Sequence, residues 1–407
     1  MTNTKADVAA TGTGVRSRPR AVLPALCATQ ITSWGVLYYA FPVLNPAITQ
    51  NTGWPAGATT AAFSAALIVS AVVGIYVGRV LDHRGPRLVM TAGSVLGPTS
   101  LLVVAAAPNL AVFTAGWLLA GAAMAATFYP PAFAALTRWW APDHIRALTI
   151  VTLAGGLAST VFAPLTAVLA GHYAWRTTYA VLAAILAALT IPTHALALRA
   201  PWPPAPDAGP GHPAKGPEPA MRSRAFRMLA ATFTLSAFAM YAVVIALVPL
   251  FLERGYTTTQ AAWALGLGGA GQTLGRTLYA ALARHTGTIT RTATLVGLGG
   301  LTTSALALIP GPYVLLVVLS VLAGIVRGNL TLLQATAVTD RWGTTHYGRL
   351  SGLLGAPAHT AAALAPFAGT LIAGPLGGYP ALFAVLAVLS AAAAITAFGS
   401  RPTTQER

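Results

Sequence analysis

The sequence predicts an all-α membrane protein with twelve transmembrane helices in two pseudo-symmetric six-helix bundles. Hydrophobic residues make up 56% of the 407 residues and charged residues only 8%, whereas soluble domains carry about 25% charged residues. Twelve apolar stretches are each long enough to cross a hydrocarbon core of about 30 Å as a helix. The two halves of the chain also resemble each other at an offset of 202 to 203 residues, which predicts the division into two bundles.

The apolar stretches are separated by short loops in which basic residues are unevenly distributed. If the N-terminus is cytoplasmic, twenty of the 24 Lys and Arg residues fall on the cytoplasmic side, and only Arg176 and Arg254 lie in loops on the other side. The positive-inside rule therefore predicts a multi-pass protein of the cytoplasmic (plasma) membrane with both termini in the cytoplasm. The predicted spans lie near residues 21–47, 57–80, 87–107, 109–135, 147–170, 177–198, 227–252, 259–282, 290–309, 311–337, 347–373 and 379–398.

A segment rich in proline divides the chain into two domains. Between Arg199 and Arg224 there are eight prolines among small and polar residues, and such a composition cannot form a packed core. We predict a cytoplasmic linker there, between two membrane-embedded bundles. The predicted parts are a cytoplasmic tail (1–20), an N-terminal bundle (21–198), the linker (199–226), a C-terminal bundle (227–398) and a second cytoplasmic tail (399–407).

Several polar and aromatic positions repeat between the two halves. Arg138-Trp139 corresponds to Arg341-Trp342, and Gly53 corresponds to Gly255. Alanine-rich apolar segments align with themselves easily, but these residues do not, so we infer a duplication. Parallel repeats of this kind place a binding site at the membrane midplane between the halves, and one half rocks against the other to expose it alternately.

One loop carries a resemblance to a known family. The segment from Gly78 to Arg87, GRVLDHRGPR, resembles the signature loop G-x-x-x-D-x-x-G-x-[KR] of the major facilitator superfamily. Short motifs are similar to the monocarboxylate-transporter-like and oxalate/formate-exchanger-like branch. The resemblance implies a secondary active transporter that works by alternating access on a small organic anion, above all a monocarboxylate. The motifs are Tyr38-Tyr39-x-Phe41, Gly53-Trp54, Gly85-Pro86-Arg87 and Gly275-Arg276.

The signature loop itself suggests a conformational latch formed by Gly78, Asp82, Gly85 and Arg87. The resemblance implies that Asp82 meets the start of the eleventh span, near residues 347–349. Because a helix N-terminus attracts an anion, this contact would hold the cytoplasmic side shut and favour the outward-open state. The alternative is a solvated turn whose charges only orient the protein in the membrane.

Two arginines lie deep within predicted spans. Arg276 and Arg327 are about 12 Å and about 20 Å from the cytoplasmic ends of their helices, at 1.5 Å per residue. None of the eight acidic residues lies at mid-depth, so an anionic cargo is the simplest partner for either guanidinium. The resemblance implies that Arg276 binds a substrate carboxylate. The alternatives are that Arg276 extends towards the cytoplasm and that backbone carbonyls or Asn329 satisfy Arg327. Either guanidinium would also be satisfied by an aromatic face such as that of Trp34 or Tyr38.

Six further side chains complete the predicted substrate site. His359 is the histidine nearest mid-depth, where it would donate a hydrogen bond or couple a proton, and Gln272 precedes Arg276 by one turn on the same helix face. Because no buried acid is present, coupling to a proton or to a counter-anion remains open. The remaining candidates are Asn329 and three aromatic residues that would form cavity walls, namely Trp34, Tyr38 and Tyr241.

The remaining functional classes find little support in the sequence. The deep region contains one histidine, one cysteine and no acid, which argues against an enzyme, a metal site or a resident cofactor. The basic residues lie in loops between apolar spans, which argues against nucleic acid as a partner. We expect the protein to act as a monomer in the lipid bilayer. The alternative function is export of a drug or natural product, with a neutral or anionic lipophilic cargo.

Overall fold

The protein folds entirely into helices wherever its structure is described. A computed structural model describes residues 19–140, 144–202, 221–342 and 347–401, and no strand occurs within these ranges. The prediction of an all-helical chain is confirmed for them. Most of each predicted tail lies outside the described residues, as do most of the predicted linker and the side chain of Asp82.

The N-terminal half begins with a long helix that changes its winding midway. Gly35–Tyr39 forms a π-helical segment between two α-helices, and such segments are frequent at functional sites. The chain turns at Gly53, whose φ of 73° is left-handed and suits a residue without a Cβ. The helices are α1 (Val22–Trp34), α2 (Ala40–Thr52), α3 (Ala56–Arg84), α4 (Pro86–Ala106), α5 (Leu110–Thr127), α6 (Tyr129–Trp139), α7 (His144–Gly156), α8 (Ala158–His172) and α9 (Trp175–Ala197).

The C-terminal half contains fewer and longer helices. Thr257 and Gln260 form a capping box at the start of the second of them, so two backbone donors of that terminus are satisfied. The helices are α10 (Arg224–Glu253), α11 (Thr258–His285), α12 (Thr288–Leu308), α13 (Tyr313–Thr336), α14 (Thr339–Trp342), α15 (Tyr347–Ala373) and α16 (Tyr379–Phe398).

The helical segments are apolar enough for a membrane in most cases. Within the described ranges, eight segments meet both the length and the hydropathy expected of a transmembrane helix. The helices with more glycine, threonine or proline, such as α11 and α15, fall below that hydropathy. The count of twelve spans therefore stays a prediction. The helical and apolar character expected of a membrane protein is confirmed for the described residues.

Glycines allow α11 and α13 to pack closely along their length. A Cβ at Gly275 would overlap the backbone oxygen of Ile325, and a Cβ at Gly328 would overlap that of Gln272. Helices that approach this closely gain dense van der Waals contact, which is the main attraction between helices in lipid. The packing fixes the relative position of two helices that both carry a candidate arginine.

The two halves of the chain meet along two pairs of helices. In the first pair, the hydroxyl of Thr160 on α8 donates to the Gly266 carbonyl of α11 at 2.8 Å. In the second pair, Phe367 of α15 donates its backbone N–H to the Ser64 hydroxyl of α3 at 3.1 Å. Ser64 lies in the part of α3 nearer Gly53, and we call that end of the bundle the Gly53 face and the opposite end the Gly85 face.

The second pair separates towards the Gly85 face. Val72 and Tyr76 of α3 are exposed, as is Leu353 of α15. A Cβ built on Gly78 or on Gly352 would find no atom within 4 Å. Along this second pair the halves are therefore in contact near the Gly53 face and apart near the Gly85 face.

Candidate functional site

A central cavity of about 130 Å³ lies between the two halves. Six of the eight predicted substrate-site residues line it, and both deep arginines are among them. The segments that converge there are α1 with its π-helical continuation, α6 and α7 from the N-terminal half, and α10, α11 and α13 from the C-terminal half. The lining residues are Trp34, Tyr38, Tyr39, Tyr129, Gly155, Met240, Tyr241, Val244, Gln272, Arg276, Arg327 and Thr331.

Arg276 of α11 extends from the C-terminal half into the N-terminal half. Only 6% of its side chain is exposed, its Nη1 donates to the backbone carbonyl of Thr152 on α7, and the Tyr129 hydroxyl lies beside its guanidinium. Its buried Nε has no acceptor. The side chain thus crosses the interface between the halves, and its predicted roles, substrate contact or extension towards the cytoplasm, stay predictions.

Arg327 of α13 enters the same cavity from the other side of α11. Its Nε donates to Oε1 of Gln272 at 2.9 Å. Gln272 is itself buried and lies one turn before Arg276 on α11. The terminal amino groups of Arg327 have no hydrogen-bond acceptor among the described residues. Gln272 therefore orients the Arg327 guanidinium and leaves its charge uncompensated.

Aromatic side chains form the wall opposite the arginines. The rings of Tyr38 and Tyr241 lie edge to face with centroids 6.5 Å apart, and Trp34 stacks on Phe128 with centroids 4.0 Å apart. Phe128 stands at the break between α5 and α6, just before Pro130-Pro131. The hydroxyl of Tyr38 and the indole N–H of Trp34 are buried and lack partners, so this wall contains two donors without an acceptor.

No carboxylate in the described part of the chain reaches the two arginines. Glu253 accepts a hydrogen bond from the Tyr379 backbone at 2.7 Å, and Asp340 pairs with Arg291 at 2.5 Å. Both contacts lie outside the central cavity. The cavity therefore holds two guanidinium groups and several unpaired donors without an internal counter-charge.

Two predicted substrate-site residues do not line the cavity. Asn329 is buried on another face of α13, where its Nδ2 donates to the Ile325 carbonyl of its own helix at 2.9 Å. His359 is exposed, and its imidazole lies along α15 over Gly355. Sequence depth placed both residues near the centre, but depth does not determine the direction in which a helical side chain points.

Several lining residues are not among those that the sequence predicts. Tyr129, Met240, Val244 and Thr331 line the cavity, and Tyr129 approaches Arg276. The proline pair after Tyr129 is the one sequence signal that could have identified it, because the break between α5 and α6 places this residue at the start of a new helix. Met240 and Val244 look in sequence like any apolar residue of a membrane helix.

The predicted latch residues lie at the turn between α3 and α4. Gly85 has a φ of 76°, and a Cβ there would lie 3.0 Å from the ring of Trp202. Arg87 donates from Nε to the Ala195 carbonyl of α9 at 3.0 Å. Gly78 faces open space. Three of the four residues are therefore placed, and the contact expected of Asp82 lies outside the described residues, so the latch stays a prediction.

Comparison with known proteins identifies one family across most of the chain. The family model of the Major Facilitator Superfamily matches residues 26–353. A bacterial homolog of the human lysosomal transporter Spinster, solved in an inward-facing and occupied conformation, superimposes with a TM-score of 0.78 over 97% of this chain and 99% of its own, at 13% identity. The nucleoside transporter NupG superimposes with a TM-score of 0.71 over 93% and 99%, also at 13% identity.

Matches to curated proteins cover shorter segments. An uncharacterized MFS-type transporter of Bacillus subtilis, YcxA, is 28% identical over 31% of this chain and 31% of its own length. Monocarboxylate transporter 13 of Bos taurus is 34% identical over 25% of this chain and 24% of its own. The aligned segments thus span only about a quarter to a third of these relatives.

Proposed function

Because the chain belongs to the Major Facilitator Superfamily, it is a membrane transporter rather than an enzyme, and we propose that it moves a small organic anion by secondary active transport. The observation that supports this cargo is the presence of Arg276 and Arg327 in one cavity that contains no described carboxylate. An arginine in a membrane span costs about 2.5–3.5 kcal/mol on insertion scales, and a bound anion offsets that cost.

The donors around the cavity favour a carboxylate. Arg276 Nε, the Tyr38 hydroxyl and the Trp34 indole N–H are all buried donors without an acceptor. A carboxylate has two oxygens that each accept more than one hydrogen bond, and a guanidinium binds it through two parallel bonds. The size of the cavity, about 130 Å³, suits a small molecule, and the partial similarity to a monocarboxylate transporter supports a monocarboxylate.

The arrangement of the halves supports alternating access as the mechanism. The contact from Ser64 to Phe367 joins them near the Gly53 face, while α3 and α15 separate near the Gly85 face. This asymmetry is the one expected of a carrier open to one side, and the positive-inside rule makes that side the cytoplasm. Twelve spans in two six-helix bundles, a monomer, and a location in the plasma membrane with both termini cytoplasmic complete the proposal.

Thermal unfolding of the purified full-length protein tests the cargo. We would measure the unfolding midpoint with mono- and dicarboxylates and with neutral and cationic drugs, for the parent, Arg276→Gln and Arg327→Gln. A ligand at a hundred times its dissociation constant stabilises by about 2.7 kcal/mol. The matched control is Arg284→Gln, the same substitution at an exposed position of the same helix.

The proposal expects carboxylates to stabilise the parent and Arg284→Gln but not Arg276→Gln. Stabilisation by uncharged or cationic compounds alone, equal in all four proteins, would make both arginines structural. In that case export of a drug or natural product becomes the better function. That second candidate is favoured by the five aromatic residues that line the cavity (Trp34, Tyr38, Tyr39, Tyr129 and Tyr241), since flat rings suit a lipophilic cargo.

A further inference from the structure

A second, smaller cavity of about 40 Å³ lies within the C-terminal half, beside the central one. Arg327 and Met240 line both cavities. A buried water needs only about 10–15 Å³ of such volume, so this side chamber has room for a halide ion with a water beside it. Four hydroxyl groups line the chamber, from Ser236, Thr302, Thr303 and Ser390.

Two lining residues of the chamber correspond to apolar residues in the N-terminal half. Helices α4 and α12 each have 21 residues and follow Gly85 and Gly287, so Leu101 corresponds to Thr303 at an offset of 202. At the offset of 203 that relates α5 to α13, Met124 corresponds to Arg327. Leu101 and Met124 are both fully buried in the apolar core.

Two glycines that correspond at the offset of 202, Gly97 and Gly299, also differ in the space around them. A Cβ on Gly97 would lie 3.2 Å from Leu186, whereas a Cβ on Gly299 would meet nothing closer than Val326 at 3.7 Å. A threonine and an arginine thus stand where the other half has a leucine and a methionine, and a cavity lies beside them. Packing alone does not account for a polar void in a membrane bundle, because unfilled space and buried polar groups both cost stability.

The guanidinium of Arg327 has one hydrogen-bond acceptor among the described residues. Gln272 accepts from its Nε alone, and no described group accepts from its terminal amino groups. No acidic residue lines the chamber. Arg327 is therefore the one charged residue among those that line the chamber, and its charge is positive.

The hydroxyl groups can turn towards a bound ion at small cost. Thr303 donates to the Gly299 carbonyl at 2.8 Å, and Ser390 donates to the Leu386 carbonyl at 2.9 Å. Helix carbonyls at such positions already accept a backbone N–H, so they stay satisfied when the hydroxyl hydrogen rotates away. Rotation about one Cβ–Oγ bond redirects each donor into the chamber.

We propose that this side chamber binds chloride, held by the Arg327 guanidinium and by the hydroxyls of Thr303, Ser390 and their neighbours. Chloride is monatomic, fits the available volume, and accepts hydrogen bonds from all directions. It would contact Arg327 from the side away from the central cavity while Gln272 keeps the guanidinium in place. An anionic cargo bound to Arg276 would then leave the chamber intact, so the chloride site is separate from the cargo site.

The test is chloride-dependent thermal stability of the full-length protein. Sodium chloride is titrated against sodium sulfate at constant ionic strength, and comparison with the variants separates binding in the chamber from the general effects of the two salts. The variant Thr303→Leu fills the space with the residue of the other half, and Thr303→Val removes only the hydroxyl. The matched control is Thr331→Val, whose hydroxyl lies at the central cavity and not at the chamber.

We expect chloride to raise the unfolding midpoint of the parent and of Thr331→Val. In Thr303→Val the half-effect concentration should rise about tenfold, the loss of one hydrogen bond to an ion, and in Thr303→Leu the response should disappear. If carboxylates still raise the unfolding midpoint of Thr303→Leu, the cargo site is intact in that variant, and the two proposals are tested independently. No chloride response in the parent, or an equal response in Thr303→Leu, overturns the chloride site. If Thr303→Leu does not fold, the double variant Thr303→Val with Ser390→Ala replaces it, and the same loss of the chloride response is expected.

Discussion

Gln272 and Arg327 are joined by a hydrogen bond of 2.9 Å that crosses from α11 to α13. Arg276 lies one turn after Gln272 on the same helix, so both guanidinium groups are positioned from one short stretch of α11. Because an amide carries no net charge, it orients Arg327 and leaves the cavity with two positive charges. A carboxylate at the same place would form an internal ion pair and remove the need for an anionic cargo.

Replacing Gln272 with glutamate is therefore expected to weaken binding of a carboxylate. The new carboxylate would pair with Arg327 at the distance of the present hydrogen bond and would also lower the positive potential around Arg276. We expect the dissociation constant for a carboxylate cargo to rise at least about tenfold, equivalent to about 1.4 kcal/mol. Titration of the unfolding midpoint with the cargo measures this constant.

The control for that experiment is Gln272→Met, which has similar length and no charge. It loses the hydrogen bond to Arg327 but keeps both positive charges, so the affinity should fall less than in Gln272→Glu. Equal losses in the two variants would mean that orientation of Arg327, and not the charge of the cavity, determines the affinity.

The sequence predicted the arginines better than it predicted their surroundings. Arg276 and Arg327 could be recognised because a charged residue far from any helix end has few structural explanations. Asn329 was placed with them by depth, but at 3.6 residues per turn it points about 200° away from Arg327. Tyr129 was missed because its position depends on the break after Phe128, and neither the angle nor the rotation of that break follows from the proline pair alone.

The structure also explains the two arginines that break the predicted charge asymmetry. Arg176 donates to the Ala107 carbonyl at the end of α4 at 3.0 Å, and Arg254 donates to the Leu306 and Ala307 carbonyls at the end of α12. Both side chains satisfy carbonyls that a helix C-terminus leaves without partners. Their place on the Gly53 face therefore has a structural cause, which a count of loop charges cannot reveal.

The close packing of α11 against α13 predicts an effect of Gly275→Ala. The added methyl group meets the backbone of Ile325, which cannot move without separating the helices, so we expect a loss of about 1–3 kcal/mol in stability. Unfolding in mixed micelles measures it. Gly74→Ala is the matched control, since nothing lies within 4 Å of a Cβ there, and a comparable loss in that variant would argue against the backbone collision as the cause.

The latch proposal predicts a shift in accessibility on the Gly85 face. In a Cys27→Ser background, a cysteine at Gly352 is expected to react with a polar thiol reagent because that position is open in this structure. If Asp82 stabilises the opposite state, Asp82→Asn should raise the labelling rate several-fold. A cysteine at Ser64, buried where the halves touch, should become slower to label. Unchanged rates at both positions would leave Asp82 in a solvated turn.

Arg341 offers a prediction about pH that does not involve the cargo. It is buried at the Gly85 face, where it donates to the Thr292 hydroxyl at 3.0 Å and to the Ser400 hydroxyl at 3.2 Å. Burial lowers the pKa of Arg341 from 12.5 to about 10. When the pKa of a basic group is lower in the folded state than in the unfolded state, the free energy of unfolding rises with pH only between those two pKa values. Below about pH 9 the arginine is charged in both states, so its contribution is constant.

We therefore expect Arg341→Met to lower the free energy of unfolding by about 2–4 kcal/mol, since several charge-assisted hydrogen bonds are lost from a buried position. The loss should be the same at about pH 6 and at about pH 9, because neither state changes protonation at this residue in that range. Arg284→Met, at an exposed position of α11, should change stability by no more than about 0.5 kcal/mol. If the loss of unfolding free energy is larger at the higher pH, the folded-state pKa of Arg341 lies well below 10. Burial would then disfavour the charged form of Arg341 much more strongly.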